Sequence, residues 1–189
     1  MLSSILFFCI SALYAYSPSR PKIDGIWYYF NTTKRTAEVS WPGNTYQPDF
    51  YKGDIVVPSK VTYQGVEYTV TEFSPTQSFF GQTELTSVTI PPTVTSIGSF
   101  AGCDKLTKMV IPNTVTQIGD FNGCPLLKEV VLPENLKRLS SSFSNCTSLE
   151  TITIPKSVES IDGYLFTGCT NLKSIIIKGQ CTTSWGTFK

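Results

Sequence analysis

Residues 85–105 read LTSVTIPPTVTSIGSFAGCDK, and the chain repeats this pattern three more times in full and once in part. Five leucines begin the repeats at spacings of 21, 21, 22 and 23 residues: Leu85, Leu106, Leu127, Leu149 and Leu172. A period of about 20 to 29 residues is typical of a solenoid, in which each repeat forms one coil and buries its apolar side only against neighbouring coils. The repeat therefore predicts a stack of coils from residue 85 onward.

Each repeat opens with a leucine followed by an alternating apolar strand, the pattern of a leucine-rich solenoid. Because side chains alternate along a strand, positions 3 and 5 after the leucine point inward and positions 2 and 4 point outward. The predicted inward pairs are Val88/Ile90, Met109/Ile111, Val130/Leu132, Ile152/Ile154 and Ile175/Ile177. We predict a mainly β repeat solenoid, a superhelix of about five coils with one parallel strand in each.

The return side of each coil has its own signals. A proline ends the strand in four repeats, at Pro91, Pro112, Pro133 and Pro155, because proline cannot continue a hydrogen-bonded ladder. A second apolar pair of the form V-x-x-I and then a phenylalanine follow. Coils this short leave no room for a long helix, so we expect turns, short extended pieces or 3₁₀ segments there.

The segment before the repeats is strongly β in character. Residues 26–30 (IWYYF) and 37–41 (AEVSW) predict a hairpin, residues 42–54 have the composition of a loop, and Gln64-Gly65 predicts a tight turn between two further strands. We interpret this block as an antiparallel β cap over the open end of the solenoid. The alternative is a ligand platform, since two of the three tryptophans lie here, at Trp27 and Trp41.

Residues 68–83 resemble a decayed half-coil. Val70 and Phe73 fit the V-x-x-I pair, Phe80 is assigned to the repeat phenylalanine, and Gln82 takes the place of the repeat cysteine. The apolar run at residues 5–16 has the length of a secretory signal and is too short to span a bilayer. The predicted organisation is a signal peptide (1–17), an N-terminal β cap (18–67) and a solenoid with a degenerate last coil (68–189), closed by Trp185 and Phe188.

Four cysteines recur three residues before a repeat leucine: Cys103, Cys124, Cys146 and Cys169. Disulfides are one interpretation in an exported protein. Equivalent residues of stacked coils lie about 4.8 Å apart, whereas a disulfide brings Cβ atoms to about 3.8 Å. We therefore favour a ladder of buried free thiols, with Cys181 filling an inward position of the last coil.

Composition excludes several classes of function. Charged residues make up 15% of the chain and the formal net charge is +1, which does not favour a nucleic-acid partner. The absence of histidine removes Ser-His-Asp and Cys-His catalysis and most zinc sites. No motif pairs carboxylates for acid–base work or forms a phosphate-binding loop. We expect no enzyme activity, no metal and no cofactor.

The motif C-x-x-L-x-x-(V/I)-x-(I/L)-P-x-x-(V/L)-x-x-(I/L), with the leader GIWYYF…TAEVSW…GDIVVPSKVTYQGVEYTVTEF, resembles the BspA-like leucine-rich repeat family. This resemblance implies a secreted or surface-exposed solenoid that acts in adhesion or in binding a host protein, and it does not imply an enzyme. The segments IGSFAGC and IGDFNGC are two residues shorter than the usual family coil. No C-terminal anchoring region is visible, so attachment to a surface stays open.

Two binding hypotheses follow. The first is an adhesion module that recognises a protein partner, such as a host extracellular-matrix or surface protein, through the outward residues of the solenoid strands. These residues are Ser87, Thr89, Lys108, Val110, Glu129, Val131, Thr151, Thr153, Ser174 and Ile176. A purely structural interpretation is that strands favour β-branched residues at these positions. The second hypothesis is a glycan-binding protein that uses Trp27, Tyr28, Tyr29 and Trp41.

Overall fold

The computed structural model describes residues 20–41, 51–75, 78–140, 143–161 and 163–183. The predicted signal peptide and the predicted closing residues Trp185 and Phe188 lie outside these ranges. Within them every regular element is a β-strand, and turns without 3₁₀ segments make up the rest of each coil. The strands are β1 Lys22–Ile23, β2 Ile26–Asn31, β3 Thr36–Val39, β4 Gly53–Val56, β5 Lys60–Tyr63, β6 Val66–Phe73, β7 Leu85–Thr89, β8 Lys108–Val110, β9 Glu129–Val131, β10 Arg138–Leu139, β11 Thr151–Ile154, β12 Ser160–Ile161, β13 Ser174–Ile177 and β14 Thr182–Thr183.

The N-terminal block forms a five-stranded sheet in the order β1-β2-β3-β6-β5. The predicted hairpin is confirmed, because β2 and β3 pair antiparallel, and so is the turn at Gln64 and Gly65, which both have positive φ. The sheet is mixed rather than purely antiparallel, since β3 and β6 run parallel. The predicted boundary between residues 67 and 68 falls inside β6, which carries the chain from this sheet into the coils.

The strands that begin at the leucines form one side of the solenoid. Parallel pairs join β4 to β7, β8 to β9 and β11 to β13, and β7 lies beside β8 as β9 lies beside β11. The predicted inward positions are buried from Val88 to Ile154, which confirms the alternation. In the four coils with a proline after the strand, its carbonyl accepts a hydrogen bond from the N–H three residues later, as from Val94 to Pro91 at 3.1 Å. Proline thus ends the strand and begins the turn.

The V-x-x-I segments form a second bonded side. Val70 and Phe73 are both buried although they are three residues apart, so the two residues between them point outward. The N–H of Thr95 donates to the carbonyl of Thr71, and the N–H of Thr116 donates to that of Thr95, at 2.9 Å each. This confirms the alignment of Val70 and Phe73 with the later repeats. Farther along, β10, β12 and β14 continue this side as parallel strands.

The third side is a row of tight turns over a stack of phenylalanine rings. Ring centroids lie 5.0, 5.4, 5.3 and 5.9 Å apart, with the planes nearly parallel, along Phe79, Phe100, Phe121, Phe143 and Phe166. The assignment of Phe80 to this position was wrong, because Phe80 is 47% exposed and Phe79 is fully buried. The offset of 21 residues from Phe100 places Phe79, not its neighbour, beneath the next ring.

The five cysteines within the described residues are free thiols, as predicted. Cys103, Cys124 and Cys146 are buried and Cys169 is half-buried. Each thiol donates to the carbonyl of the phenylalanine in the preceding coil, at 3.0 to 3.2 Å. Gln82 occupies the equivalent place, where its side-chain oxygen accepts from the N–H of Tyr51 at 2.9 Å. Cys181 is half-buried and packs against the core, and the N–H of the next residue, Thr182, donates to the carbonyl of Glu159 at 2.9 Å.

The solenoid strands begin earlier than the first repeat leucine. Residues 53 and 54, assigned to a loop from composition, belong to β4, which pairs in parallel with β7. Tyr51 precedes it and covers the end of the phenylalanine stack, with its ring centroid 4.8 Å from that of Phe79. The Tyr51 hydroxyl donates to the carbonyl of Ser40 at 2.7 Å and accepts from the N–H of Trp27 at 3.1 Å. The N-terminal sheet and the first coil are therefore joined by a buried polar link.

Candidate functional site

The outward side of the leucine strands presents two parallel rows of side chains. The register of the paired strands places position 4 of each coil beside position 4 of the next. We call this row the outward stripe: Val56, Thr89, Val110, Val131, Thr153 and Ile176. The row at position 2 is the polar row: Asp54, Ser87, Lys108, Glu129, Thr151 and Ser174.

The outward stripe leaves large apolar side chains in solvent. Val56, Val110, Val131 and Ile176 are 68%, 51%, 43% and 48% exposed. Equivalent residues of neighbouring coils lie about 4.8 Å apart, so six coils give a stripe on the order of 24 Å long. Isolated exposed apolar residues are normal on protein surfaces, but here they recur along one row, with Val110 directly beside Val131, and such clustering is typical of an interaction site.

The polar row is largely self-neutralised. The Lys108 ammonium lies 2.9 Å from the Glu129 carboxylate in the adjacent strand. Asp54 accepts hydrogen bonds from the hydroxyls of Ser87 and Thr86, at 2.7 Å each, and these bonds lower the pKa of Asp54. Because the charges are already partnered, the row offers orientation and hydrogen bonding rather than strong attraction to one sign of charge.

Every predicted partner-binding residue lies on this surface, exposed or half-exposed. Whether it binds a partner stays a prediction. The sequence analysis missed Val56 and Asp54. The signal was present, because Asp54-Ile55-Val56-Val57-Pro58 has the same apolar alternation and closing proline as Ser87-Val88-Thr89-Ile90-Pro91.

The four aromatic residues of the glycan hypothesis do not form one surface. Tyr28 is buried, 1% exposed, and burial raises its pKa to about 12, so it cannot contribute to a sugar platform in this fold. Tyr29 is exposed on the opposite face of β2, and Trp27 is half-buried beneath the ammonium of Lys22. Trp41 is half-buried and lies under the guanidinium of Arg20, which also donates to the Trp41 carbonyl at 2.9 Å.

Neither a metal centre nor a membrane-spanning helix is found among the described residues. They contain no group of three or more His, Cys, Asp or Glu side chains placed to hold a metal ion. Within the same ranges, no helix has the length and apolar character needed to cross a bilayer.

Comparison with known proteins identifies the repeat. The sequence pattern of the BspA type Leucine rich repeat region matches residues 74–186 in 6 copies, one more than the five predicted from the leucines. A search of curated protein sequences finds no match.

Three solved structures share the fold. A leucine-rich repeat protein from Bacteroides ovatus is 26% identical with a TM-score of 0.51, and the match covers 81% of this chain and 52% of that one. The leucine-rich repeat protein of T. pallidum is 24% identical with a TM-score of 0.62, over 84% and 83%. The pneumococcal vaccine antigen PcpA is 20% identical with a TM-score of 0.52, over 88% and 50%. This chain thus spans about half of the Bacteroides and pneumococcal proteins.

Proposed function

Since this chain belongs to the BspA-type leucine-rich repeat family, we propose that it is a non-catalytic binding and adhesion module, secreted or displayed at a cell surface. It recognises a protein partner through the outward stripe and the polar row beside it. Repeat solenoids characteristically use such extended surfaces for binding.

The observation that carries this proposal is the outward stripe itself. Valine or isoleucine stands at four of its six positions, at Val56, Val110, Val131 and Ile176. Threonine would satisfy the same β-propensity and keep the surface polar, as it does at Thr89 and Thr153. Burying the stripe against a partner would remove apolar surface from water at about 25 cal/mol per Å². The preference of strands for β-branched residues therefore explains why the stripe contains valine, isoleucine and threonine. It does not explain why four of the six positions are apolar.

The residues before the stripe have a supporting role in this proposal. In this proposal the sheet β1-β2-β3-β6-β5 caps the N-terminal end of the solenoid, and Tyr51 lies over the Phe79 ring. A solenoid end without such a cover exposes the apolar interior of its first coil. The cap holds β4 in register with β7, so it also positions Asp54 and Val56 at the end of the stripe.

The test is the double substitution Val110→Glu with Val131→Glu. Both side chains already project into solvent, so we expect unchanged circular dichroism and thermal unfolding. An interface that buried them would have to desolvate two unpaired carboxylates, and we expect at least about a hundredfold loss of affinity. Binding is measured by biolayer interferometry against a panel of purified extracellular-matrix and cell-surface proteins. A panel is used because we propose a class of partner and not one particular protein.

Leu126→Glu is the matched control, because Leu126 is also an exposed apolar residue but lies in the turn before Leu127, outside the stripe. It should bind as the unmodified chain does. Equal affinity of the double variant and the unmodified chain for a partner that the panel identifies would overturn the proposal. So would equal losses in the double variant and in Leu126→Glu.

A further inference from the structure

A second concave surface lies on the outer face of the N-terminal sheet, away from the outward stripe. It is a groove of about 340 Å³ that crosses β2, β3 and β6. Its lining residues are Tyr29, Asn31, Lys34, Thr36, Ala37, Glu38, Thr71 and Glu72. A volume in this range suits a small ligand of one or two rings.

The register of three strands brings the central side chains of the groove together. Tyr29 on β2 lies opposite Glu38 on β3, and Glu38 lies opposite Glu72 on β6. A β-bulge accompanies the second pairing, because β6 must bury both Val70 and Phe73 and therefore turns Thr71 and Glu72 outward together. The result is a row of one aromatic ring and two carboxylates across adjacent strands.

The two carboxylates form an unfavourable pair in the free protein. Like charges directly opposite on neighbouring strands destabilise a sheet. Burial raises the pKa of Glu38, the nearby Glu72 charge raises it further, and a hydrogen bond from Ser74 and the charge of Arg20 lower it. Among the described residues no lysine or arginine lies within ion-pair distance of either carboxylate. A ligand that donates hydrogen bonds to both would relieve this repulsion.

The remaining side chains complete a mixed set of donors and acceptors. The side-chain oxygen of Asn31 accepts from the N–H of Lys34 at 2.9 Å, so the Asn31 amide group offers its NH₂ to the groove. Thr36 and Thr71 carry hydroxyls, and the exposed ring of Tyr29 (46%) provides the one large apolar surface. Such a set does not suit a phosphate, which two carboxylates repel, and it does not suit a purely apolar ligand.

We propose that this groove is a saccharide-binding site, in which a sugar ring stacks on Tyr29 and donates hydroxyl hydrogen bonds to Glu38 and Glu72. Sugar hydroxyls both donate and accept, which matches carboxylates on one side of the groove and amide, ammonium and threonine groups on the other. The C–H face of a pyranose is the apolar surface that an exposed tyrosine ring accommodates. This site is separate from the outward stripe, so either can exist without the other.

The test is saturation-transfer-difference NMR on residues 20–189, with glucose, galactose, mannose, N-acetylglucosamine, maltose and cellobiose at concentrations up to 50 mM. We expect transfer to the ring protons of at least one sugar. In Tyr29→Ala the affinity for that sugar should fall about tenfold or more, because the substitution removes the ring on which the sugar stacks. Tyr164→Ala is the matched control, because Tyr164 is an exposed tyrosine on a distant coil, and it should leave binding unchanged.

Glu72→Gln separates binding from folding. Removing one of two opposed charges should leave the Tm unchanged or raise it, while sugar affinity falls about fivefold because a neutral amide accepts a weaker hydrogen bond. Absence of transfer to every sugar would overturn the proposal, as would equal transfer in Tyr29→Ala. The proposal would also be overturned if the protein NMR signals of Glu38 and Glu72 shifted on addition of CaCl₂ but not on addition of any sugar. That result would identify the groove as a cation site.

Discussion

The coils that begin at Leu149 and Leu172 have nearly the same strand but very different burial. Ile154 is fully buried, whereas its register partner Ile177 is 40% exposed, and Leu172 and Ile175 are only half-buried. An opening of about 500 Å³ lies beside these residues, lined also by Phe166 and Cys169. At the other end of the stack, β4 covers the coil that begins at Leu85 and Tyr51 covers Phe79, and both Leu85 and Phe79 are fully buried.

The difference shows where burial comes from in this fold. Each coil supplies an apolar side, but only the next coil or the N-terminal sheet removes that side from water. A leucine or isoleucine in the repeat pattern therefore contributes to stability in proportion to the neighbour stacked on it, as expected for a one-dimensional array. Three measurements test this contrast between a covered coil and an open one.

The largest expected effect is in the reactivity of the cysteine ladder. Cys103, Cys124 and Cys146 are buried, whereas Cys169 and Cys181 are half-buried. Burial raises the pKa of Cys103, and the neighbouring Cys124 thiol, together with burial, raises the pKa of Cys146. The interior thiols should react only through local or global opening, at least about a thousandfold slower than an exposed thiol. Peptide-resolved mass spectrometry after iodoacetamide labelling gives the order in which the cysteines react.

Cys181 and Cys169 should be labelled first and the three interior cysteines last. Labelling in 6 M guanidinium chloride provides the control, because all five should then react at similar rates. Uniform rapid labelling of the native chain would contradict the buried ladder and the contrast built on it.

The next effect compares two adjacent phenylalanines at the covered end. Phe79 is packed between Tyr51, Phe73 and Phe100, with ring centroids within 5.4 Å. Phe79→Ala should lower the free energy of unfolding by about 3 to 5 kcal/mol, as expected for a buried phenylalanine. Phe80→Ala is the matched control and should change it by less than about 0.5 kcal/mol. Urea denaturation followed by circular dichroism measures both, and similar values for the two variants would contradict the assignment.

This pair also shows what the sequence could and could not predict. The leucine spacing, the alternation, the prolines and the thiol ladder all followed from the sequence, because a stacked repeat places equivalent positions side by side. The choice between Phe79 and Phe80 depended on counting 21 residues back from Phe100 rather than on residue type. Both residues are equally apolar, so only the register distinguishes them.

The first coil was missed for a different reason. The hairpin of β5 and β6 separates Pro58 from Val70, so the strand of this coil and its V-x-x-I segment lie farther apart in sequence than in later coils. In the groove on the N-terminal sheet, Tyr29 was among the aromatic residues of the glycan hypothesis, but its two carboxylates had no local signal. Glu38 and Glu72 are adjacent only because β3 pairs in parallel with β6 across a bulge, a long-range contact that composition does not reveal.

The smallest expected effect is the difference in stability between two equivalent substitutions, one in the coil that begins at Leu149 and one in the coil that begins at Leu172. Ile152 and Ile175 are direct partners in β11 and β13, with the same side chain at the same inward position. Ile152→Ala should cost about 2 to 5 kcal/mol because it leaves a cavity between two packed coils. Ile175→Ala should cost less than about 1 kcal/mol, since its side chain is half in solvent and the site can relax. Equal costs in urea denaturation would mean that a further layer covers the Leu172 coil in solution, and the exposed side of that coil would then have to be regarded as interior.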